Sequence, residues 1–343
     1  MPAPRIQSLA TAVPPARHTQ EEVLAHFGRY FPAYRQDRVA QLFLNAGIES
    51  RHLALLPEEF HPENSANELH SVYQANALAL AREAACAALR QASLEPAEID
   101  LLVVATCTGY ICPGLTARLA ASMRMSRNLQ RADLVGMGCA GAVPALQRGA
   151  DFVKANPGKR ALVVCVEISS ACWFIDDTVE TIVGNAICAD GAAAVVLSLD
   201  DGPGPTLEKF HTLMDPSFLE SVGLSFENGR QRIVLDAGLR HAAGPMVKEA
   251  VAGLLAEDPG FQPQHWVVHA GGKRVLDSID SAFAFANGEL AFSRETLRNY
   301  GNMSSPTVLF VLEKTLRATQ PNDTAILVAL GPGLAAETAL LHW

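Results

Sequence analysis

The feature that most constrains the fold of this 343-residue chain is a set of short, uninterrupted apolar runs separated by helical stretches. The clearest runs are 101–105, 161–166, 192–199 and 324–329, which consist largely of Val, Leu, Ile and Ala. Strands that are apolar on both faces occur in sheets that are covered on both sides. The pattern therefore predicts an α/β fold with helices on each face of its sheet. The predicted helices are 64–92, 114–125, 139–154 and a last one from 302 or 303 to about 317.

Spacing along the chain predicts two related halves. A strand that begins at Ala161 follows a helix start at Cys139 by 22 residues, and a strand at Thr324 follows a helix start at Asn302 by the same 22. Two related α/β halves that face each other form a site where the ends of their sheets meet. Polar residues at these strand ends and helix starts are therefore the first candidates for function.

The connection between the halves is predicted at Asp200–Pro205, a segment that combines acidic residues with Gly and Pro. It divides the chain into a unit of residues 1–200 and a unit of residues 206–343. The first unit contains the Cys139 region, and the second contains the strand and helix that repeat its pattern.

Composition excludes several classes of function. The net charge is −9 and no basic run offsets it, so nucleic acid is not the expected partner. Apolar residues make up 49% and charged residues 18% of the chain, which is incompatible with a disordered protein. No stretch reaches the ~18 apolar residues of a membrane span. The odd number of irregularly spaced cysteines, seven in all, indicates free thiols in a reducing, cytoplasmic compartment and no structural metal site.

The glycine-rich turn Gly136–Gly141 follows a predicted strand and precedes a predicted helix. One interpretation is a dinucleotide-binding turn, with Glu167 at the end of the next strand as the ribose-binding acid. The alternative is a nucleophilic cysteine, because a thiol at a helix N-terminus is shifted toward thiolate and nearby N–H groups can hold an oxyanion. About 135 residues precede the turn, whereas a dinucleotide fingerprint usually opens its domain. The nucleophile interpretation of Cys139 is therefore favoured.

A thiol nucleophile needs a base, and among the ten histidines His269 has the most suitable context. It ends an apolar strand and is followed by Ala-Gly-Gly, a turn that exposes its side chain at the end of the sheet. Asn302 opens the corresponding helix of the second half in Gly-Asn-Met-Ser-Ser. Asn is also a common helix N-cap, and taken alone that simpler role would explain it.

Together, Gly-Met-Gly-Cys-Ala-Gly around Cys139, His-Ala-Gly-Gly from His269 and Gly-Asn-Met-Ser-Ser around Asn302 resemble the Cys-His-Asn triad motifs of type III polyketide synthases, the chalcone and stilbene synthase family. The segment 330–333 resembles the Gly-Phe-Gly-Pro-Gly loop of that family. The resemblance extends from about Arg51 to the end of the chain. It implies the thiolase fold, with a duplicated five-layered αβαβα architecture, and a homodimer.

The resemblance also implies a reaction. Cys139, paired with His269, would accept an acyl group from a starter acyl-CoA, and His269 and Asn302 would stabilise the enolate formed as malonyl-CoA loses CO₂. Attack of that enolate on the Cys139 thioester extends the chain by two carbons. Repeated extension precedes cyclisation to a resorcinol, pyrone or phloroglucinol-type product. The CoA thioesters are the substrates, and neither a cofactor nor a metal is required.

The resemblance places further residues around the substrate, and some depart from the family pattern. Cys188 stands where the family usually has Phe before Gly-Asp-Gly, and Cys112 matches a position that reaches across the dimer into the partner's site. Small side chains at Cys107, Cys172 and Cys188 predict a roomy apolar cavity, which favours a medium or long fatty acyl starter over an acetyl or malonyl one. Ordinary core packing is an equally simple explanation for each of these cysteines. The expected pocket residues are Cys107, Thr108, Cys112, Cys172, Cys188, Ser304, Gly331, Pro332 and Gly333, and the cations expected near the CoA phosphates are Arg51, Lys273 and Arg274.

Two other functions remain open on the sequence alone. A ketoacyl-carrier-protein synthase III has a similar triad, but typically with His-Gln-Ala-Asn at the histidine and no proline in the terminal loop, and it would release its product after one condensation. A dinucleotide-binding or non-catalytic module would bind NAD(P) and would not need Cys139. His-Ala-Gly-Gly and Gly-Pro-Gly favour the polyketide branch.

Overall fold

Continuous apolar runs form strands, as the sequence predicts. The computed structural model of the protein describes residues 3–236, 238–286 and 288–343. The run at 101–105 is a strand that is buried along its whole length, and so is the longer strand that begins at 161. In the described ranges the strands are β1 (Arg5–Ala12), β2 (Arg17–Thr19), β3 (Ser50–His52), β4 (Leu101–Ala105), β5 (Gln130–Leu134), β6 (Ala161–Ile168), β7 (Asp190–Ser198), β8 (Thr206–Met214), β9 (Val222–Glu227), β10 (Arg230–Leu235), β11 (His265–Val268), β12 (Thr324–Gly331) and β13 (Ala335–His342).

Two of the first three helices begin at residues whose side chains cap them. The Thr19 hydroxyl accepts a hydrogen bond from the Glu22 amide while the Glu22 carboxylate accepts one from the Thr19 amide, which is a capping box. Ser65 and Glu68 form a second capping box of the same kind. No helix among the described residues is both long and apolar enough to cross a membrane. Over these residues the helices are α1 (Gln20–Tyr30), α2 (Asp37–Leu44), α3 (Ala66–Gln91), α4 (Leu115–Ser122), α5 (Ala142–Ala155), α6 (Val179–Ile187), α7 (Leu239–Leu254), α8 (Lys273–Phe283), α9 (Ala291–Tyr300) and α10 (Thr307–Leu316).

The two halves of the chain build their sheets with the same strand order. In the first half the order is β4-β6-β7-β1, with β5 on the outer side of β4, and in the second half it is β11-β12-β13-β8. The first two strands of each set are parallel, and the remaining pairs are antiparallel. β1 and β8 pair at Arg5 and Thr206, which joins the two sets into one nine-stranded sheet. The internal repeat inferred from the 22-residue spacing is therefore present in the topology.

Alternate residues of each strand contact different helix layers. In β4, Leu102 packs with α3, whereas Val103 packs with α5. In β12, Leu327 packs with α5 and α10, whereas Ile326 packs with α7 and α8. α5 and α10 thus lie between the two parts of the sheet, and the other helices cover the outer faces. The layer order α3, sheet, α5 with α10, sheet, α7 with α8 is the five-layered arrangement that the resemblance implies.

The two helices that flank the candidate site begin later than the sequence predicts. Cys139 lies in a 3₁₀ turn, Gly138–Ala140, and α5 begins only at Ala142. Asn302 precedes the start of α10 at Thr307 by five residues. For α10 the physical reason is left-handed backbone at Ser304, with φ of 59°, which cannot be part of a right-handed helix; for α5 it is that Gly138–Ala140 are wound as a 3₁₀ turn. Both candidate residues therefore lie in loops that lead into the central helices.

Candidate active site

The turn that holds Cys139 packs closely against the loop after β12. A Cβ atom on Gly138 would lie 2.4 Å from Cδ of Pro332, and one on Gly331 would lie 2.6 Å from Cβ of Ala140. Only glycine fits at these two contacts, which explains the glycines on each side of the interface. The structure therefore brings the predicted 331–333 loop to the cysteine turn, as a contact between the two halves of the chain.

Burial is the largest influence on the pKa of the Cys139 thiol. It raises the pKa of the thiol above its ordinary value, and hydrogen bonding to the side chains of Ser304 and Asn302 opposes the rise. The sequence predicts a thiolate stabilised by a helix N-terminus; α5 begins three residues after Cys139, and burial outweighs the groups that favour the thiolate. The cysteine therefore needs a neighbouring base to become a nucleophile.

His269 is a buried imidazole that is uncharged at neutral pH. It follows β11, its backbone amide donates to the Val328 carbonyl at 2.8 Å, and it is only 3% exposed. Both ring nitrogens are buried without a hydrogen-bond partner. Burial lowers the pKa of the imidazole to about 4, so the ring is uncharged at neutral pH. A neutral imidazole offers one donor and one acceptor, which suits it both to take a proton and to hydrogen-bond an oxyanion.

The amide of Asn302 is fixed by its own loop. Its Oδ1 accepts the Ser304 amide at 2.8 Å, and its Nδ2 donates to the Gly271 carbonyl at 3.0 Å. Gly271 also lies against His269, since a Cβ atom there would be 3.2 Å from the Cδ2 atom of the imidazole. The His269 and Asn302 side chains thus flank the same glycine. Because Nδ2 carries two donors, one remains for a group other than Gly271.

Glu167, at the end of β6, connects the two halves at the site. Its carboxyl group accepts the Cys107 amide at 2.9 Å, the Thr108 amide at 3.0 Å, and the Ser305 hydroxyl at 2.7 Å. Burial raises the pKa of this carboxyl group, and the hydrogen bonds oppose that rise. The sequence alone suggests only a ribose-binding role for Glu167. The signal for its observed role was a single acid within an otherwise apolar strand.

Two of the predicted pocket cysteines enclose a residue that the sequence analysis missed. The Cys172 thiol donates to Oε1 of Gln231 at 2.8 Å, and Nε2 of Gln231 donates to the Cys107 carbonyl at 3.1 Å. The Cys107 sulfur lies 3.4 Å from the Ser304 hydroxyl, which connects this group to Cys139. No local pattern distinguishes Gln231, because it lies in an ordinary hairpin strand, β10.

The remaining predicted pocket residues differ in their position. Cys188 caps the C-terminus of α6 and forms an isolated β-bridge with Asn302, so it lies beside the site. The Thr108 hydroxyl donates to Glu167, as part of the connection described above. Cys112 is exposed on the loop after β4. Among the described residues, no group of three or more His, Cys, Asp or Glu side chains is arranged to hold a metal ion.

The expectation that Arg51 binds the CoA phosphates is wrong. The side chain is fully buried, and its guanidinium donates to backbone carbonyls of the protein interior. A group without exposed surface cannot meet a solvated phosphate at the entrance of a tunnel. Lys273 and Arg274 are exposed on the first turn of α8, a few residues after His269, and remain the predicted phosphate contacts.

Known proteins resemble the chain along its whole length. Residues 17–204 match FAE1/Type III polyketide synthase-like proteins, and residues 219–343 match the C-terminal domain of chalcone and stilbene synthases. The chain is 33% identical to the 3,5-dihydroxyphenylacetyl-CoA synthase of Streptomyces toyocaensis, over 100% of its own length and 90% of that protein. It is also 33% identical to the 1,3,6,8-tetrahydroxynaphthalene synthase of Streptomyces peucetius subsp. caesius, over 98% and 93%.

Solved structures show the same fold. The crystal structure of 1,3,6,8-tetrahydroxynaphthalene synthase from Streptomyces coelicolor A3(2) is 27% identical and superposes with a TM-score of 0.92, over 99% of each chain. PKS-I from the brown alga Ectocarpus siliculosus superposes with a TM-score of 0.93 at 27% identity, over 99% of this chain and 98% of that one. These superpositions confirm the thiolase fold that the resemblance implies.

Acidification is predicted to destabilise the folded protein through His269. Because burial lowers the pKa of the imidazole to about 4, the unfolded chain binds a proton near pH 6.5 that the folded chain binds only near pH 4. The stability that belongs to the neutral ring is complete above pH 6.5 and is lost as the pH falls toward 4. The loss is about 2 kcal/mol between pH 7 and pH 5. Urea denaturation at the two pH values measures it.

The control for this experiment is His269→Gln, which keeps a polar side chain that does not titrate. Comparing it with the wild type cancels other groups, such as Asp190, whose pKa is raised by burial to about 6 and which acts in the opposite direction. The variant should lose less stability on acidification than the wild type. An equal loss in both proteins would contradict a neutral, buried His269.

Proposed function

Because the chain belongs to the type III polyketide synthase family, we propose that it performs repeated decarboxylative Claisen condensations on Cys139, with His269 and Asn302 as the partners of that cysteine. Enzymes of this family are acyltransferases that use acyl-CoA and malonyl-CoA. In this proposal residues 1–200 supply the nucleophile and residues 206–343 supply its partners. The observation that carries it is the buried imidazole of His269, whose two nitrogens have no protein partner. A buried polar group is costly unless it is hydrogen-bonded, and a substrate oxygen provides that bond.

The first step loads the starter. His269 takes the proton of the Cys139 thiol as the sulfur attacks the carbonyl carbon of the starter thioester. The bond between that carbon and the CoA sulfur breaks, and the proton passes from the imidazolium to the departing thiolate. The acyl group is then bound to Cys139 and His269 is neutral again. The lowered pKa of His269 makes its protonated form a strong acid for this return step.

The second step extends the chain. The bond between the carboxylate and the α-carbon of malonyl-CoA breaks, CO₂ leaves, and the electron pair forms an enolate. The N–H groups of His269 and Asn302 donate to the enolate oxygen, and each such donor lowers the barrier by about 3 kcal/mol. The enolate carbon attacks the thioester on Cys139 and the cysteine sulfur leaves, so the extended chain is carried by CoA. Repetition and ring closure give a cyclic product.

Single substitutions are predicted to separate the two steps. Cys139→Ala should abolish acylation by a starter acyl-CoA, because no other nucleophile receives the acyl group. Asn302→Ala should leave acylation in place but lower malonyl-CoA decarboxylation by about 10²- to 10³-fold, because one enolate donor is lost. His269→Gln should impair both steps. Mass spectrometry of the protein measures acylation, and release of CO₂ from malonyl-CoA measures decarboxylation.

Cys86→Ala is the matched control, because Cys86 lies on α3 and is a free cysteine outside the residues of the site. It should acylate and decarboxylate like the wild type. Undiminished decarboxylation in both His269→Gln and Asn302→Ala would refute the assigned roles. A single β-ketoacyl product in place of a cyclised polyketide would favour the ketosynthase III alternative.

The starter has two candidates. The small side chains of Cys107, Cys172 and Cys188 favour a medium or long fatty acyl group. Gln231 favours a short starter, acetyl or malonyl. Its polar amide lies between Cys107 and Cys172 and occupies space that an apolar acyl chain would need. The two relatives compared above also carry product names with hydroxylated rings and no long alkyl chain. We therefore propose the short starter as the better supported of the two.

Removing the Gln231 amide is predicted to lengthen the starter that the enzyme accepts. Gln231→Ala opens the space between Cys107 and Cys172, so acyl-CoAs several carbons longer should compete with acetyl-CoA. Gln231→Met, of similar volume, is the control and should keep the short preference. Products from malonyl-CoA and a panel from acetyl-CoA to palmitoyl-CoA are identified by mass. A wild-type preference for palmitoyl-CoA would establish the fatty acyl candidate. If Gln231→Ala accepts the same acyl-CoAs as the wild type, Gln231 does not limit the length of the starter.

We also propose a homodimer. Tyr110 is 70% exposed and Val135 is 51% exposed, and the exposed Cys112 lies two residues after Tyr110. Exposed apolar side chains that form a patch mark contact surfaces, and Tyr110 and Val135 follow neighbouring strands, β4 and β5. Tyr110→Glu should therefore shift the sedimenting species from dimer to monomer in analytical ultracentrifugation. Glu249→Lys, at an exposed polar residue of α7, is the control and should leave the dimer intact; a Tyr110→Glu protein that still sediments as a dimer would contradict this interface.

A further inference from the structure

Arg51 is a fully buried cation whose hydrogen bonds all go to neutral groups of the protein. Its Nη1 donates to the Asn185 carbonyl at 2.8 Å and to the Cys188 carbonyl at 2.7 Å, and its Nη2 donates to the Ala186 carbonyl at 2.6 Å. Nη2 also donates to Oε1 of Gln20. Burial lowers the pKa of Arg51 to about 10, so the guanidinium remains charged at neutral pH. Burial of such a cation is costly, and these acceptors compensate it together with the nearby carboxylate of Asp190.

The three carbonyls belong to the C-terminal end of α6. The last carbonyls of a helix have no partner within the helix and carry its negative dipole end. A planar guanidinium can span several of them at once, which a lysine ammonium cannot do with the same geometry. Gln20 supports the same end of α6, since its Nε2 donates to the Ala186 carbonyl at 2.7 Å. Arg51 therefore fixes the position of the segment that follows α6.

That segment holds the backbone of Asn302. The Asn302 amide donates to the Ile187 carbonyl at 2.8 Å, and the Ala189 amide donates to the Asn302 carbonyl at 2.8 Å. These two contacts flank Cys188, whose carbonyl Arg51 binds. Gly301 also lies against Arg51, because a Cβ atom there would be 3.6 Å from Cβ of Arg51. The guanidinium and Asn302 are thus separated by one layer of backbone.

We propose that Arg51 is a positioning residue for Asn302, which it places for the decarboxylation step through the C-terminal end of α6. Arg51 touches neither substrate nor reacting atoms in this role. The proposal rests on the function of Asn302 proposed above. Since Cys139 lies in a different loop and also hydrogen-bonds Ser304, the role predicts a larger effect on decarboxylation than on the loading of the cysteine.

Arg51→Met and Arg51→Lys test the proposal. Arg51→Met should lower the kcat of malonyl-CoA decarboxylation by about 10- to 100-fold, because displacing a catalytic group by about 1 Å has that effect. Alkylation of Cys139 by iodoacetamide and its acylation by a starter should remain within about twofold of wild type. Arg51→Lys should recover part of the loss, since it keeps the charge but spans fewer carbonyls. Arg160→Met, which removes a surface arginine that pairs with Glu98, is the matched control and should have no effect.

A double-mutant cycle distinguishes positioning from a general loss of structure. If Arg51 acts through Asn302, then Arg51→Met combined with Asn302→Ala should decarboxylate no more slowly than Asn302→Ala alone. Additive losses, or equal losses of alkylation and decarboxylation in Arg51→Met, would overturn the proposal.

Two further outcomes of these experiments lead to separate conclusions. If Arg51→Met does not fold, Gln20→Met removes the polar support of the same guanidinium more mildly, and it must show the same selective loss of decarboxylation for the proposal to stand. If the wild-type protein does not decarboxylate malonyl-CoA, the proposed function fails first, and the role of Arg51 fails with it. A wild type that decarboxylates, with Arg51 and Gln20 variants that decarboxylate equally well, overturns only the role of Arg51.

Discussion

The buried carboxyl group of Glu167 is the interaction on which the geometry of the site depends. It accepts hydrogen bonds from the loop after β4 in the first half of the chain, and from Ser305, beside Asn302, in the second half. The Thr108 amide and the Ser305 hydroxyl are buried donors, and a buried donor without an acceptor costs about 1–3 kcal/mol. The two loops therefore cannot separate without leaving the Ser305 hydroxyl without its acceptor. The site is a feature of both halves, although the fold repeats one topology in each.

Burial also sets the proton chemistry of the site. It raises the pKa of Cys139 and lowers the pKa of His269, so both changes favour the neutral thiol and the neutral imidazole over an ion pair. In the proposed reaction the Cys139 sulfur therefore loses its proton only as it attacks, and the negative charge develops on the oxygen of the substrate carbonyl. The same low polarity strengthens the hydrogen bonds that the neutral ring and the Asn302 amide can give to an enolate. One physical cause, desolvation, therefore supports both steps of the proposed reaction.

The sequence predicts the parts of the structure that depend on local signals. Uninterrupted apolar runs identified the strands that begin at Ala161 and Thr324, and glycine-rich turns identified the loops of Cys139 and His269. Arg51 could not be placed in this way, because a charged residue normally lies at the surface and the carbonyls that accept its hydrogen bonds are more than 130 residues away along the chain. The start of α10 at Thr307 was also not predicted. It depends on left-handed backbone at Ser304, and a serine in the sequence gives no signal for that conformation.

In the proposed function, the hairpin of β9 and β10 limits the starter without taking part in the condensation. Side chains alternate across a strand, so Arg230 and Arg232 face away from Gln231. Arg230 donates to the Trp173 carbonyl at 2.6 Å, and Arg232 pairs with Asp176 at 2.9 Å, which fixes the hairpin to the first half of the chain. Gln231 is consequently held between Cys107 and Cys172 by neighbours that point away from it. In the proposed function its side chain can therefore change while the Asn302 loop, which Glu167 and the segment after α6 hold through Ser305 and Asn302, keeps its position.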